Sequence, residues 1–270
     1  MPELPEITCR AREMRAELVG RTIEEVEVLQ PKCLNVPIPA FEKGLSRAEI
    51  LDVTHHGKWI FVETSRGHLL INMGMGGEIL LVRRGQLPKS WRVRFDLSGG
   101  QTLTVNFWWF GNTHYVAPGK LGDHKMTATL GANALDLAVE DFRRLLEGRR
   151  SRIKSFLLDQ KRIAGIGNAY VHDILFRATL HPLRTIPTLS DADVDALYRA
   201  VRTELERSIE KGGAFYESDL YGKPGGFTGD DLLVGYREGK ACPECGTEII
   251  KIKTGSTSSF ICPKCQPLER

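Results

Sequence analysis

Two Cys-x-x-Cys knuckles near the C-terminal end restrict the fold of this chain more than any other feature. Cys242-Pro243-Glu244-Cys245 and Cys262-Pro263-Lys264-Cys265 stand sixteen residues apart. Two tight turns at that spacing can point four thiolates at one centre, the donor set of a tetrahedral structural zinc site. Residues 248–253 and 259–261 read as strands joined by a Thr254-Gly255-Ser256 turn, so a hairpin carries the knuckles. Disulfides are the alternative use of four cysteines. Their clustering, with Cys9 and Cys33 left alone, fits metal in a reducing compartment better. Four protein ligands leave no open coordination position, so one Zn²⁺ per chain would be structural rather than catalytic. Lys251, Lys253 and Lys264 make the module basic, which suits it to a phosphate backbone.

The remainder of the 270 residues divides by pattern. A helix follows Pro5, with Ile7, Ala11, Met14 and Leu18 on one face and Gly20 as its stop. From about 22 to 116 the apolar residues follow strand patterns in short runs, broken by turns that hold Gly74, Gly76, Gly77, Gly99 and Gly100. This pattern reads as an antiparallel sandwich or barrel. A loop at 118–130 has the composition of a hinge, and helical patterns take over at 139–146, 153–158, 168–178 and from Ser190 to Gly212-Gly213. Ser190 with Asp193 forms a capping-box signature. A glycine-rich stretch at 212–229 reads as a mobile loop. The class is therefore α+β and multidomain.

Charge points to a polyanionic partner through its distribution rather than its sum of +3. Arg149, Arg150, Arg152, Lys154, Lys161 and Arg162 fall in one short window opposed by Asp159 alone, which is either a solvated helix face or a phosphate-binding patch. Next to it, Gly165-Ile166-Gly167-Asn168 opens a helix. That turn is either an ordinary helix connection capped by Asn168 or an anion site built from backbone N–H groups. No apolar run suggests a membrane span, and charges at Glu3, Glu6, Arg10, Arg12 and Glu13 occupy the place of a signal peptide. A cytoplasmic protein, nucleoid-associated when bound to DNA, is expected, and nothing demands more than a monomer.

The first residues, Met1-Pro2-Glu3-Leu4-Pro5-Glu6, offer a chemical group that no interior residue has. Loss of Met1 would leave Pro2 as a free secondary amine, and α-amino groups titrate near about 8, well below lysine. Such an amine can attack a sugar aldehyde carbon and form a Schiff base, with Glu3 beside it as acid or base. Alternatively, the prolines merely lead into the helix.

Taken in order, these elements resemble the bacterial formamidopyrimidine-DNA glycosylase and endonuclease VIII family along essentially the whole chain. The matching segments are residues 1–6, His56-Gly57-Lys58, Gly74-Met75-Gly76-Gly77, Gly165 to Asn168, Gly222-Lys223-Pro224-Gly225 and the four-cysteine finger. The resemblance implies an N-terminal β-sandwich catalytic domain carrying the terminal helix (1–130), a helix-two-turn-helix DNA-binding domain (131–235) and a zinc finger (236–270), with damaged DNA across the cleft between them. It implies excision of a damaged base flipped out of the helix, then β,δ-elimination through a Schiff base on Pro2. In that scheme Glu3 protonates the opening sugar and Glu6 supports the terminus. Lys58 meets the lesion phosphate, Met75 wedges into the gap, and Asn168 and Lys154 contact the backbone.

Several positions depart from the family. Asn106-Phe107-Trp108-Trp109-Phe110-Gly111 stands where Asp-Pro-Arg-Arg-Phe-Gly is usual, so Phe110 keeps its wedge position while tryptophans replace both arginines. An arginine reads the orphaned base by hydrogen bonds, whereas Trp108 can only stack on it. Thr257 aligns with the finger's usual arginine and can still offer the DNA phosphate one hydrogen bond but no charge, Asn72 aligns with a common histidine and Asp173 with a glutamate. Residues for Schiff-base chemistry persist while those that choose the base do not. The expectation is an active glycosylase and lyase with altered specificity, acting on duplex or single-stranded DNA. The alternatives are a lyase or glycosylase for other lesions with relaxed opposite-base preference, and a damaged-DNA-binding paralogue without activity.

Overall fold

The computed structural model describes residues 1–255 and 257–268, so Ser256 of the expected hairpin turn lies outside the described residues. Two compact units are present, residues 1–129 with 211–226, and residues 130–210 with 227–270.

In the first unit α1 (Leu4–Leu18) begins at a proline-bearing turn, with Glu3 as N-cap and Glu6 accepting from the Glu3 N–H at 2.8 Å. The expected apolar stripe is realised: Ile7, Ala11, Met14 and Leu18 are fully buried and join the sandwich core. Eight antiparallel strands follow, β1 (Thr22–Val28), β2 (Ala48–His56), β3 (Trp59–Thr64), β4 (Gly67–Asn72), β5 (Glu78–Arg83), β6 (Val93–Leu97), β7 (Gln101–Asn106) and β8 (Asn112–Val116). Their order is β5-β7-β6-β1-β2-β3-β4-β8. The joint between β1 and β2 is short, Thr22↔Glu49 and Ile23↔Ala48, and register shifts flank it at Ile23/Glu25 and Ile50/Asp52. Bulges there let one strand order turn a corner and face itself as a sandwich.

A short helix α2 (Ile38–Leu45) interrupts the strands, which the sequence pattern does not announce. Pro37 and Pro39 hide it from a periodicity argument, yet proline suits a first helical turn. Gly44 is required where α2 meets the sheet, because a Cβ there would lie 2.5 Å from the Tyr115 ring.

Residues 211–226, which the sequence division places with the helices, pack in the first unit. Leu220 is buried in the sandwich core, and its carbonyl accepts from Leu81 N at 2.8 Å. Far from standing free, this stretch is tied to α1 by Glu13, which accepts from Leu220 N at 3.1 Å, and by Glu6.

The second unit pairs β9 (Ala132–Asn133) with β10 (Ile163–Ala164) and contains α3 (Val139–Leu146), α4 (Ile153–Leu157), α5 (Val171–Arg177) and α6 (Asp191–Glu210). The Ser190–Asp193 box forms as expected: Asp193 N donates to Ser190 Oγ at 3.2 Å and Ser190 N donates to Asp193 Oδ2 at 3.0 Å. On the buried side of α6, the Glu204 carboxylate is neutralised by Arg177 and Arg207. The hairpin β11 (Ile250–Thr254) and β12 (Thr257–Ile261) packs into the same unit through Phe260 and Ile249, next to Phe176 of α5. The zinc-finger segment therefore shares a core with the helices.

Candidate active site and DNA-contacting loops

At the chain terminus, Pro2 is buried directly before the N-cap, and Glu3 is 4% exposed. Glu6 acts as a bracket: its Oε2 accepts from Glu3 N and its Oε1 accepts from Ala214 N at 3.1 Å. One carboxylate thus fixes the first helical turn to residues 211–226. The positive end of the α1 dipole faces the terminus.

Lys58 occupies the two-residue turn between β2 and β3, half-buried, after Gly57 at φ +57°. Asn72 organises this corner. Its Nδ2 donates to the Lys58 carbonyl at 2.8 Å, and its Oδ1 accepts from Gly74 N at 3.1 Å. The residue that departs from the family's histidine is therefore a clamp between the Lys58 turn and the Met75 loop. Sequence reasoning marks the departure but not the role, because both partners are backbone atoms.

The Met75 loop and the loop at 107–111 are joined by reciprocal bonds, Met75 N to Trp109 O and Trp108 N to Met75 O, each 2.8 Å. Gly74 permits this approach, since a Cβ would lie 2.3 Å from Trp109 O. Arg92 donates to the Phe107 carbonyl and, at 3.3 Å, to that of Trp108. On this braced pair sit four large apolar side chains facing solvent: Met75 at 41% exposure, Trp108 at 65%, Trp109 at 62% and Phe110 at 74%. Phe110 holds φ +59°, a left-handed conformation that costs a non-glycine residue about 1–2 kcal/mol. The loop thus carries its exposed aromatics on a strained, braced backbone.

In the second unit, Gln160 shapes the Gly165–Asn168 turn by accepting from Gly165 N at 2.9 Å and donating to Ile166 O at 2.7 Å. Asn168 is half-buried, its carbonyl accepting from Tyr236 Oη at 3.4 Å, while its Oδ1 is buried without a hydrogen-bond partner. Asp173 is almost wholly buried, and its carboxylate accepts from Leu233, Val234 and Gly235 N–H groups at 2.7–2.9 Å. Burial pushes its pKa up to about 6 against those three donors. Its part is to anchor the chain leading to the hairpin.

Two residues are placed otherwise than the sequence suggests. Lys154, expected on the DNA backbone, is 2% exposed, and its Nζ donates to Thr254 Oγ1, Thr257 Oγ1, Ser258 O and Ser259 Oγ at 2.7–3.2 Å. Thr257, expected to offer its hydroxyl to phosphate, gives that oxygen to Lys154 instead. Burial pushes the Lys154 ammonium down to about 8. Lys154 thus locks α4 to the hairpin. In the rest of its window Arg149, Arg150, Arg152 and Lys161 are exposed.

The four cysteines converge as the spacing predicts. Their Sγ atoms all lie within 4.8 Å of one another, and all four are free. Separations such as 3.5 Å for Cys245–Cys262 and 3.9 Å for Cys242–Cys265 are far above a disulfide bond. They suit the edges of a tetrahedron about 3.8 Å across, which follows from metal–sulfur bonds of about 2.3 Å.

Comparison with known proteins agrees with this arrangement. Residues 1–107 match the formamidopyrimidine-DNA glycosylase N-terminal domain, 130–218 its H2TH domain, and 239–268 the zinc finger found in FPG and IleRS. The formamidopyrimidine-DNA glycosylase of Pelotomaculum thermopropionicum is 37% identical over 100% of both chains. That of Symbiobacterium thermophilum is 33% identical over 99% of this chain and 90% of its own. Among solved structures, a Lactococcus lactis FPG mutant in complex with Fapy-dG-containing DNA has a TM-score of 0.90 at 25% identity, covering 98% of this chain and 100% of that one. The L. lactis Fpg in complex with abasic-site DNA has a TM-score of 0.88 at 25% identity over 98% and 99%. From the buried terminal proline to the thiolate cluster, the motifs occur in one order along the whole length, and the chain belongs to the formamidopyrimidine-DNA glycosylase family.

Proposed function

We infer that this chain is a base-excision-repair glycosylase that removes a damaged base and then cleaves the abasic site through its N-terminal proline. The observation that carries this reading is the terminus itself. Pro2 is buried at the positive end of a fifteen-residue helix, next to the buried Glu3, and both are held in place by Glu6. The two carboxylates close a capping box at the helix start, which seats Pro2 directly before the first turn.

Removal of Met1 frees the Pro2 nitrogen, which attacks the sugar C1′ of a nucleotide turned out of the duplex. Glu3 donates a proton to the sugar oxygen as the ring opens and the base departs. The resulting Schiff base acidifies the neighbouring C–H, so both flanking phosphates can be eliminated. The Asn72 clamp sets the height of Lys58, whose ammonium would bind the phosphate beside the lesion. Met75 and Phe110 would fill the gap in the stack. Asn168 and the exposed arginines at 149, 150 and 152 would hold the backbone. The thiolate site would carry one zinc ion per chain with a structural part only. No described helix is long and apolar enough to cross a membrane.

Borohydride trapping on a duplex with one abasic site tests this reading. The chain with a free Pro2 should form a covalent adduct, whereas Pro2→Gly and a form retaining Met1 should not. Intact binding without an adduct would instead indicate a damage-binding paralogue. A second reading concerns specificity. The loop opposite the lesion presents Trp108 and Trp109 with no charged side chain between Phe107 and Asn112, which supports excision tolerant of any base on the other strand. A lesion panel set against all four partner bases tests it.

A further inference from the structure

Beside the terminus lies another carboxyl group with no part in the scheme above. Glu217 belongs to residues 211–226; its side chain is 8% exposed, and its Oε1 lies 4.0 Å from the Met1 nitrogen. Its main chain is tied on both sides: Glu217 N donates to the Ala214 carbonyl at 3.0 Å, and its own carbonyl accepts from Gly225 N at 3.0 Å. Glu6 and Glu13 of α1 bind the same stretch through Ala214 N and Leu220 N. Backbone anchoring, rather than the terminus it faces, therefore sets where this carboxyl sits.

The charged groups that face Glu217 are the terminal amine together with Glu6 and Arg10 of α1, while Asp219 of its own segment reaches Arg10. Burial pushes its pKa up to about 7; Glu6 adds to the rise, and the amine and Arg10 oppose it. At neutral pH such a carboxyl can both take and release a proton, as acid–base catalysis requires. Excision of Met1 removes the residue whose nitrogen Glu217 faces and leaves the Pro2 nitrogen, one residue along, as the terminal amine.

We propose that Glu217 is the group that accepts the proton leaving the Pro2 nitrogen as it bonds to the sugar. The proposal rests on the reading of Pro2 as nucleophile. A neutral proline amine carries one hydrogen, and the Schiff base it forms carries none, so that proton needs an acceptor. On an abasic aldehyde the nitrogen lone pair forms the N–C1′ bond, and the carbonyl π pair moves to oxygen, which takes a proton from Glu3. The N–H proton passes to the Glu217 carboxylate. The nitrogen lone pair then forms the C=N bond as the C1′ hydroxyl leaves, taking that proton from Glu217 to become water.

The test is borohydride trapping on a preformed abasic duplex from pH 5.5 to 9, with DNA affinity and melting temperature measured in parallel on chains with a processed N-terminus. Glu217→Gln is expected to trap about a hundredfold more slowly at pH 7, with DNA affinity unchanged. The wild type should lose rate as pH falls and Glu217, whose carboxyl is held above the ordinary range by burial, is protonated. Glu217→Gln should keep only the fall that protonation of the Pro2 amine itself produces, and Glu217→Asp should restore the Glu217-dependent part of the limb. A Glu217→Gln chain with wild-type rate and pH profile, beside an inert Pro2→Gly, overturns the proposal and leaves the Pro2 reading standing. A Glu217→Gln chain that binds or melts poorly, with no limb restored by aspartate, reduces Glu217 to a structural tie and also overturns it. A wild type that forms no adduct with Pro2 free removes both.

Discussion

Lys154→Met separates two fates for the same ammonium, a DNA contact or an internal lock. Methionine keeps most of the buried stem and deletes the charge. In the wild type the Nζ serves four oxygens of the hairpin. Thr254 and Ser259 can still satisfy each other, since their hydroxyls already lie 2.8 Å apart. The Thr257 hydroxyl and the Ser258 carbonyl lose their charged donor. Each of these part-buried acceptors, left unmet, costs about 1–3 kcal/mol at most. Methionine removes the cost of burying a charge, which offsets part of this. The net loss is expected at about 2–3 kcal/mol, equivalent to a melting temperature lower by roughly 5–15 °C. The assay pairs thermal unfolding with the salt dependence of DNA binding, the latter read well below the transition. An internal lock leaves the slope of log K against log salt unchanged. A lysine that neutralises one phosphate would make the slope shallower by about 0.9. An unshifted melting temperature with a shallower slope would refute the lock.

Three other outcomes are expected. Trp108→Ala should weaken lesion binding by about 1–3 kcal/mol, the worth of one stacked base, and Trp108→Arg should introduce a preference for one opposite base; equal excision across all four pairings in Trp108→Arg would count against this loop as the reader of that strand. Asn72→Ala frees the Lys58 turn from the Met75 loop and should slow abasic-site trapping while changing stability by only about 1–2 kcal/mol, as measured by single-turnover kinetics beside chemical denaturation. Chelation, or Cys262→Ser, should remove one metal ion per chain by elemental analysis and loosen the hairpin, because Phe260 packs against His172 and Tyr236 at ring distances of 5.3 and 5.1 Å in a small core shared with Cys242 and Cys262.

What could be read from the sequence divides along physical lines. Periodicity located α1, most of the sandwich strands and α6, because each buries a continuous stripe or an alternating face. It missed α2, whose prolines break the helical signal. The thiolate site was legible because its geometry is local: two turns and one hairpin bring the ligands together. Long-range side-chain contacts were not. Nothing in the spacing of Lys154 says that its ammonium meets oxygens about a hundred residues away. Nor does glycine content announce that residues 211–226 dock on the sandwich, since that depends on Leu220 finding the core and on Glu6 and Glu13 finding backbone N–H groups.

The candidate site shows a common building rule that bears on how it diverges. Pro2 and Glu3 are held by Glu6, Lys58 and Met75 by Asn72, the Asn168 turn by Gln160, and the stretch before the hairpin by Asp173. Each bracket is one side chain bonded to main-chain atoms of the segment it holds. Such a bracket fixes where a loop runs without specifying which side chain the loop presents. The 107–111 loop follows the same logic, braced through carbonyls by Arg92 and through reciprocal amide bonds to Met75. Its outward residues can therefore change from hydrogen-bonding to stacking groups while the backbone path and the chemistry at Pro2 stay as they are. The tryptophans at 108 and 109 are such a change. Specificity for the opposite strand is expected to vary independently of the lyase step, and Trp108→Arg should accordingly alter which pairings are excised while leaving the trapping rate on a bare abasic site within about twofold of wild type, or about 0.4 kcal/mol.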